Sequence, residues 1–215
     1  MSGARAYEIA VGEDTVADLR DRLGTARWPA QPPGHGWDLG TDLGYARALC
    51  DHWRDRYDFS RLERLNALGS FRWEGLHFLR VTAGDEEGIP VVLLHGWPSG
   101  PIEYEEAGRL LAAAGRTAII PSLPGFAWSE DPGEPLDVAA VAARLLVLLT
   151  DGLEVERFIV AGGDWGAPIG ARMAFDAPDR VAGLYVSTPG VLPRPSDLSE
   201  PPPSEAEQAF VQRGL

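Results

Sequence analysis

Hydrophobic and polar positions divide this chain into a helical front part and a longer part in which strands and helices alternate. Residues 14–27 carry apolar side chains on one helical face, which predicts a helix. After an irregular stretch rich in proline and glycine at 28–40, the apolar spacing from 41 to 68 again predicts helix. The front part has aromatic residues but no strand signal. We therefore expect residues 1–70 to form a helical wrap that lies on another domain through aromatic anchors.

From residue 71 onward, apolar strands alternate with amphipathic helices. The predicted strands are Gly75–Val81, Ile89–Leu94, Thr117–Ile120, Arg157–Ala161 and Val181–Val186. The predicted helices are 103–114, 136–151 and 167–176. Strands that are apolar throughout and alternate with helices indicate a parallel sheet with both faces covered. The sequence thus predicts an α/β fold with a mostly parallel, doubly wound sheet, whose core spans 71–188.

The C-terminal stretch has a different composition. Residues 189–203 hold six prolines in fifteen positions, which predicts an extended linker. A short helical start is predicted at 204–213. Residues 189–215 therefore stand apart from the α/β core.

Charge and composition exclude several classes of function. The chain has 215 residues and a net charge of −13, so it should be repelled by nucleic acid and by anionic membrane surfaces. The N-terminus lacks the apolar region of a secretory signal, and the best membrane candidate, 138–149, is short and interrupted by Arg144. We expect a cytoplasmic protein. A single cysteine and four histidines without close ligand spacing predict no metal site.

The segment 158–170 reads Phe-Ile-Val-Ala-Gly-Gly-Asp-Trp-Gly-Ala-Pro-Ile-Gly, an apolar strand that runs into an acidic residue and then a helix. This pattern is typical of a nucleophile elbow with Asp164 in the place of the nucleophile. Gly162 and Gly166, each two positions away, leave room for the crowding of such a turn. A carboxylate nucleophile attacks carbon and forms an alkyl ester. The alternative is an ordinary strand–glycine–helix turn.

A second motif, His95-Gly96-Trp97-Pro98, follows the strand that ends at Leu94. Ligands bind at the carboxyl ends of strands in open α/β sheets. An upstream loop of this kind supplies one amide of an oxyanion hole, and the residue after the nucleophile supplies the other. These donors would be the amides of Trp97 and Trp165. We expect His95, like Gly96 and Pro98, to have a structural role, with its ring bonded to nearby backbone.

A third segment, 121–126 (Pro-Ser-Leu-Pro-Gly-Phe), would line the same rim or would only shape the chain. Phe126 and Trp128 are candidate residues of an apolar substrate pocket, although Trp128 could instead pack under the rim. The only tyrosine after the elbow, Tyr185, lies in a predicted strand and is expected in the core.

The three motifs, in this order and spacing, resemble the epoxide hydrolases of the α/β-hydrolase superfamily. The front segment resembles the N-terminal domain of the microsomal type, in Trp37-Asp38, Trp53 to Phe59, Leu65-Asn66 and Gly75 to Phe78. The resemblance implies an α/β-hydrolase core and an Asp164 that attacks a small apolar epoxide to give a glycol monoester. Lid tyrosines would protonate the alkoxide, and a His–acid pair would activate water against the ester. The resemblance implies that the reaction needs no cofactor and no metal.

The chain departs from the family pattern after the elbow. No histidine follows Asp164, and residues 189–215 resemble the entry into a lid that is then cut off. We expect negligible turnover by this chain alone, an uncovered sheet edge at Val181–Val186, and a possible partner in a complementing C-terminal chain or a second copy. Two alternatives stay open: a haloalkane dehalogenase-like hydrolase, and a non-catalytic fragment or pseudo-enzyme that binds apolar ligands.

Overall fold

A computed structural model describes residues 3–82, 84, 88–188, 204–205 and 208. The predicted linker at 189–203, and most of the short helix predicted after it, lie outside these residues. The strands are β1 (Arg5–Ala6), β2 (Ser70–Trp73), β3 (Leu76–Val81), β4 (Val91–Leu94), β5 (Ala118–Pro121), β6 (Phe158–Gly163) and β7 (Val181–Ser187). The α-helices are α1 (Glu13–Gly24), α2 (Leu43–Arg56), α3 (Glu105–Ala113), α4 (Val138–Val147) and α5 (Gly166–Asp176). Two 3-10 helices span Phe59–Leu68 and Pro101–Tyr104, and a π-helical turn spans Leu148–Gly152.

The strands form one mixed sheet in the order β1-β2-β3-β5-β4-β6-β7. Strands β5, β4, β6 and β7 are mutually parallel, whereas β1, β2 and β3 continue the sheet from β5 with antiparallel pairing. The five predicted strands are present with shifted ends, but β1 and β2 were not predicted. The expectation of a front part without strands is therefore wrong. Strands of two and four residues are too short to show an alternating pattern.

Alternation along the central strands divides the core into two layers, because neighbouring side chains of a strand point to opposite faces. On one face, Val92 and Leu94 of β4 pack with Ile119 of β5 under residues of α4 and α5. On the other face, Val91 and Leu93 pack beneath α3 and the front segment. Since both faces of β4 are buried, its continuous apolar run follows directly from its central position.

The front segment attaches to the second face through aliphatic residues. Ile9, Leu65 and Leu68 are buried there, and the Asn66 side chain bonds both the N–H and the C=O of Ile9 at 2.8 Å. Helices α1 and α2 contain no buried residue. Three aromatic residues of this segment, Trp37, Tyr45 and Trp53, are exposed. The expectation of aromatic anchors is wrong for them. Trp37 and Tyr45 contact each other, with ring centroids 5.1 Å apart.

Strand β7 forms one edge of the sheet among the described residues, and it pairs only with β6 there. Its side chains Leu184 and Tyr185 are exposed. The expectation that Tyr185 lies in the core is therefore wrong, because nothing among the described residues covers the far side of this strand.

Candidate active site

Asp164 lies at the turn between β6 and α5. Its φ of 50° falls in the left-handed region that side chains other than glycine rarely adopt. Such backbone strain is held only where the surrounding structure enforces it, and it concentrates at functional sites. The strained conformation makes the turn tight enough to project the side chain beyond the end of the strand. The Asp164 side chain is exposed to solvent there.

Two glycines make this tight turn possible. A Cβ on Gly162 would lie 2.6 Å from the carbonyl oxygen of Gly166. A Cβ on Gly166 would clash with the carbonyl oxygen of Leu94 on the neighbouring strand. The obstacles are backbone atoms, which cannot rotate away. Close approach of backbone to backbone therefore requires glycine at both positions.

The loop after β4 meets the elbow because β4 and β6 are parallel neighbours, with Leu94 opposite Gly162. The backbone N–H of Trp97 donates a hydrogen bond to Oδ1 of Asp164, with an N···O distance of 2.8 Å. Gly96 lies beneath the carboxylate, since a Cβ on it would be 2.5 Å from Oδ1 and from the Asp164 Cβ. Pro98, which follows Trp97, is joined to it by a cis peptide bond.

Two backbone amides determine the ionisation of the exposed carboxylate. Hydrogen bonds from the N–H of Trp97 and then from the N–H of Trp165 hold the pKa of Asp164 below its ordinary value, because they stabilise the charged form. Among the described residues, no Lys, Arg or His forms an ion pair with this carboxylate. The site therefore presents an anionic carboxylate with backbone donors and, within the described part of the chain, no cation paired with it.

An apolar cavity of about 250 Å³ opens beside the elbow. Trp165 and Ile169 from the elbow and α5 line it, together with Phe126 and Leu123 from the loop after β5. Trp128 does not line this cavity, so the structure does not bring it together with Phe126. Its ring packs edge-on against His77, with centroids 5.1 Å apart. The difference follows from the turn at 126–129, which directs the two aromatic rings to different clusters.

His95 is fully buried behind the loop. Its Nδ1 lies 3.1 Å from the carbonyl oxygen of Gly96, and its Nε2 accepts a hydrogen bond from the N–H of Leu123 at 3.0 Å. Burial lowers the pKa of this imidazole. Both ring nitrogens thus contact backbone groups rather than the space in front of Asp164.

Sequence reasoning did not find a polar cluster next to this loop, formed by the buried residues Ser70, His77 and Ser122 and the half-buried Ser129. The His77 ring lies 3.1 Å from the Ser70 hydroxyl and 2.8 Å from the Ser122 hydroxyl. Desolvation lowers the pKa of His77 to about 4, with a smaller contribution from Arg72. Single polar residues give no periodic signal, and these four come from β2, β3 and the loop after β5, so only the fold brings them together.

Two negative findings concern the described part of the chain alone. There, no group of three or more His, Cys, Asp or Glu side chains has a geometry that could hold a metal ion. Over the same residues, none of the helices combines the length and the apolar composition needed to cross a bilayer.

Comparison with known proteins places the elbow and the sheet in a family. Residues 89–212 match the family model described as alpha/beta hydrolase fold, which is the class that the sheet and the strained elbow define. Residues 4–104 match the model described as Epoxide hydrolase N terminus. The chain belongs to the epoxide hydrolase family within the α/β-hydrolase fold. The expected boundary at residue 70 stays a prediction, because the match to the N-terminal model continues to residue 104.

Individual relatives agree with this assignment. A protein of Stigmatella aurantiaca, whose name places it among the epoxide hydrolases, is 33% identical over 98% of this chain and 51% of its own length. The juvenile hormone epoxide hydrolase of Bombyx mori is 33% identical over 83% of this chain and 42% of its own length. The chain therefore spans about half the length of these relatives.

Solved structures show the same fold. The crystal structure of the Bombyx mori juvenile hormone epoxide hydrolase matches with a TM-score of 0.74 and 32% identity, over 86% of this chain and 53% of that one. The Aspergillus niger epoxide hydrolase matches with a TM-score of 0.77 over 98% of this chain and 59% of that one. The second match, at 23% identity, supports the fold alone.

Proposed function

We propose that the protein is an epoxide hydrolase in which Asp164 attacks an epoxide carbon and forms a covalent alkyl ester. The observation that carries this proposal is the exposed Asp164 carboxylate, which accepts the Trp97 N–H at 2.8 Å at the tip of a strained elbow. The names of the relatives agree with this activity. Attack of an aspartate on a saturated carbon gives an alkyl ester, which water then cleaves.

The first step joins one carboxylate oxygen to an epoxide carbon. The carbon–oxygen bond of the ring breaks, and the ring oxygen leaves as an alkoxide that takes up a proton. While one oxygen of Asp164 attacks, the Trp97 amide holds the other and so fixes the direction of the carboxylate. A reactant held in a near-attack geometry avoids much of the entropic cost of a bimolecular reaction.

In the second step, water adds to the carbonyl carbon of the ester. Negative charge then develops on the oxygen that faces the amides of Trp97 and Trp165. Collapse of this tetrahedral intermediate breaks the bond to the alkyl oxygen, releases the vicinal diol and regenerates Asp164. Each such amide donor is worth roughly 2.7–4 kcal/mol of transition-state stabilisation.

The second step needs a base to activate water, and the described residues do not supply one next to Asp164. His77 and His95 are buried, with their ring nitrogens engaged in hydrogen bonds. His35 and His52 belong to the front segment, and no histidine follows Asp164 in the 215 residues. Loss of a general base costs about 10²–10⁴ in rate. We therefore propose that the ester accumulates on this chain.

The substrate we propose is a small apolar epoxide. The cavity beside Trp165 is lined mainly by apolar side chains, and the indole of Trp97, whose N–H bonds the carboxylate, is largely exposed. The one charged side chain beside Trp165, Asp137, caps α4 by accepting the N–H of Ala140.

Covalent labelling tests the proposal. Incubation with styrene oxide should add one substrate mass to the tryptic peptide 158–172, in which Asp164 is the only carboxylate side chain. The chain contains no lysine, so Cys50 is the main competing nucleophile and is read separately in its own peptide. Asp164→Asn should abolish the adduct on peptide 158–172.

A second electrophile separates the nucleophile from the proton donor. An alkyl bromide loses bromide without needing a proton, so it should label Asp164 even where protonation of the epoxide oxygen limits the reaction. If neither electrophile modifies peptide 158–172, Asp164 is not the nucleophile. Labelling by the bromide but never by epoxides, even in mildly acidic buffer, would favour the dehalogenase-like alternative.

A further inference from the structure

We propose that Ser122, fixed by His77, selects the tautomer of His95 and thereby orients the peptide group whose N–H faces Asp164. These three are positioning residues, since none of them contacts the reacting atoms. The inference rests on the proposed function only in taking the Trp97 amide as a donor of the site.

Ser122 is held at three atoms. Its hydroxyl lies 2.8 Å from Nδ1 of His77, and its N–H donates to the His77 carbonyl at 2.9 Å. Its own carbonyl accepts the hydroxyl of Ser129 at 2.7 Å. Ser122 and His77 are both fully buried, so no water competes for these bonds. The position of the peptide that follows Ser122 is therefore determined by this cluster.

That peptide ends in the N–H of Leu123, which points at Nε2 of His95 across 3.0 Å. A backbone N–H only donates, so Nε2 must present its lone pair. A neutral imidazole then carries its single proton on Nδ1. The Nδ1–H consequently donates to the Gly96 carbonyl at 3.1 Å. Burial, which lowers the pKa of His95, keeps the ring neutral and so preserves this acceptor.

The bond to Gly96 acts on the site because the Gly96 carbonyl and the Trp97 N–H belong to one planar peptide group. Fixing the carbonyl end fixes the direction of the N–H end, which donates to Asp164 Oδ1 at 2.8 Å. The N–H of Ser99 also donates to this carbonyl, at 3.0 Å. His95 therefore supplies one of two anchors for the peptide.

The opposite tautomer would disrupt both contacts of the ring. A proton on Nε2 would face the Leu123 N–H, and the lone pair of Nδ1 would face the Gly96 carbonyl oxygen. Donor would oppose donor and acceptor would oppose acceptor, each inside the core where unmade hydrogen bonds are costly. The arrangement therefore permits one tautomer.

Nuclear magnetic resonance of the full chain tests this directly. Long-range ¹H–¹⁵N correlation of the His95 ring in the unmodified protein should show a single tautomer, with the proton on Nδ1. A proton on Nε2 overturns the inference without any variant being made. This result does not depend on epoxide labelling, so failure of the inference and failure of the proposed function are distinguishable.

The variant Ser122→Ala tests the remote control of the tautomer. It should cause loss of the single His95 tautomer and a shift of the Trp97 amide resonance, because the His77 imidazole no longer fixes residue 122, which keeps only its backbone hydrogen bonds. The matched control is Thr117→Val, on the same segment, which removes a buried hydroxyl that makes no hydrogen bond. It should leave both signals in place. A folded Ser122→Ala protein with unchanged His95 and Trp97 signals overturns the role of Ser122. If this variant does not fold, the tautomer of His95 in the unmodified chain decides whether the inference stands.

Discussion

The substitution Gly96→Ala would place a methyl group directly beneath the Asp164 carboxylate. The added Cβ would lie 2.5 Å from Asp164 Cβ and Oδ1, whereas ordinary contacts begin at 3.4 Å, so the deficit is 3.4 − 2.5 = 0.9 Å. Gly96 does not have a positive φ, so alanine fits its backbone. Rotation of the exposed Asp164 side chain would move Oδ1 away, but its Cβ is fixed to the backbone, so we expect the elbow and the loop at Gly96 to separate and the thermal stability to fall. The carboxylate should then lose its bond to the Trp97 N–H.

Two opposing effects determine the size of the change. A misplacement of about 1 Å costs up to about 100-fold in rate. Loss of the amide bond also makes the carboxylate more reactive, since a hydrogen bond to a charged group is worth about 1.5–3 kcal/mol and one to a neutral ester about 0.5–1.5. That difference of about 1 kcal/mol raises the rate of alkylation roughly fivefold and so offsets part of the loss. We expect alkylation of Asp164 to slow by about 20-fold overall.

The assay is a time course of adduct formation on peptide 158–172 with an excess of alkyl bromide, with thermal unfolding measured in parallel. Gly100→Ala is the matched control on the same loop, because its Cβ would meet the Cβ of Ala127 at an ordinary 3.5 Å and its backbone is extended. It should label like the wild type. If Gly96→Ala labels as fast as Gly100→Ala, the amide does not position Asp164 and the reasoning is refuted.

Three other properties can be measured without turnover. Gly166→Ala, whose Cβ would clash with the backbone of Leu94, should lower the free energy of unfolding in urea by at least about 1–3 kcal/mol. The control Gly183→Ala, whose Cβ would meet side-chain atoms at 3.8 Å, should change this free energy little. Equal losses in the two variants would contradict the packing argument. Because burial lowers the pKa of His77 to about 4, the unfolded chain binds this proton first, near pH 6.5. The free energy of unfolding should therefore fall between about pH 6.5 and 4, by up to about 3 kcal/mol, and His77→Gln should remove this part of the slope. Since backbone amides lower the pKa of Asp164, its labelling by alkyl bromide should stay constant with falling pH to below about 4, whereas a decline that begins near pH 6 would contradict the assigned hydrogen bonds.

The elbow was predictable from sequence because its constraints are local. A positive φ at Asp164 and the lack of space at Gly162 and Gly166 concern residues within two positions of one another. The meeting of the two loops was also predictable, since parallel neighbours bring their carboxyl ends to one edge. The roles of these residues in catalysis stay predictions until labelling is measured.

The supporting cluster was not predictable for a related reason. Ser70 and His77 are adjacent through an antiparallel pair, but Ser122 joins them from 45 residues further along the chain than His77. A lone histidine in an apolar strand carries no signal of its partners. Trp128 illustrates the same limit, since its distance from Phe126 in sequence is short but a turn separates the two rings.

The two steps of the proposed reaction place opposite demands on the same pair of amides. During alkylation the carboxylate loses its charge, so hydrogen bonds from Trp97 and Trp165 favour the reactant and slow the step. During hydrolysis of the ester the charge returns to the carbonyl oxygen, so the same bonds favour the transition state. Stabilisation of a developing oxyanion, at roughly 2.7–4 kcal/mol for a donor, exceeds the loss of about 1 kcal/mol in the first step. Because the gain in hydrolysis is larger than the loss in alkylation, this amide geometry serves the cleavage of the ester more than its formation.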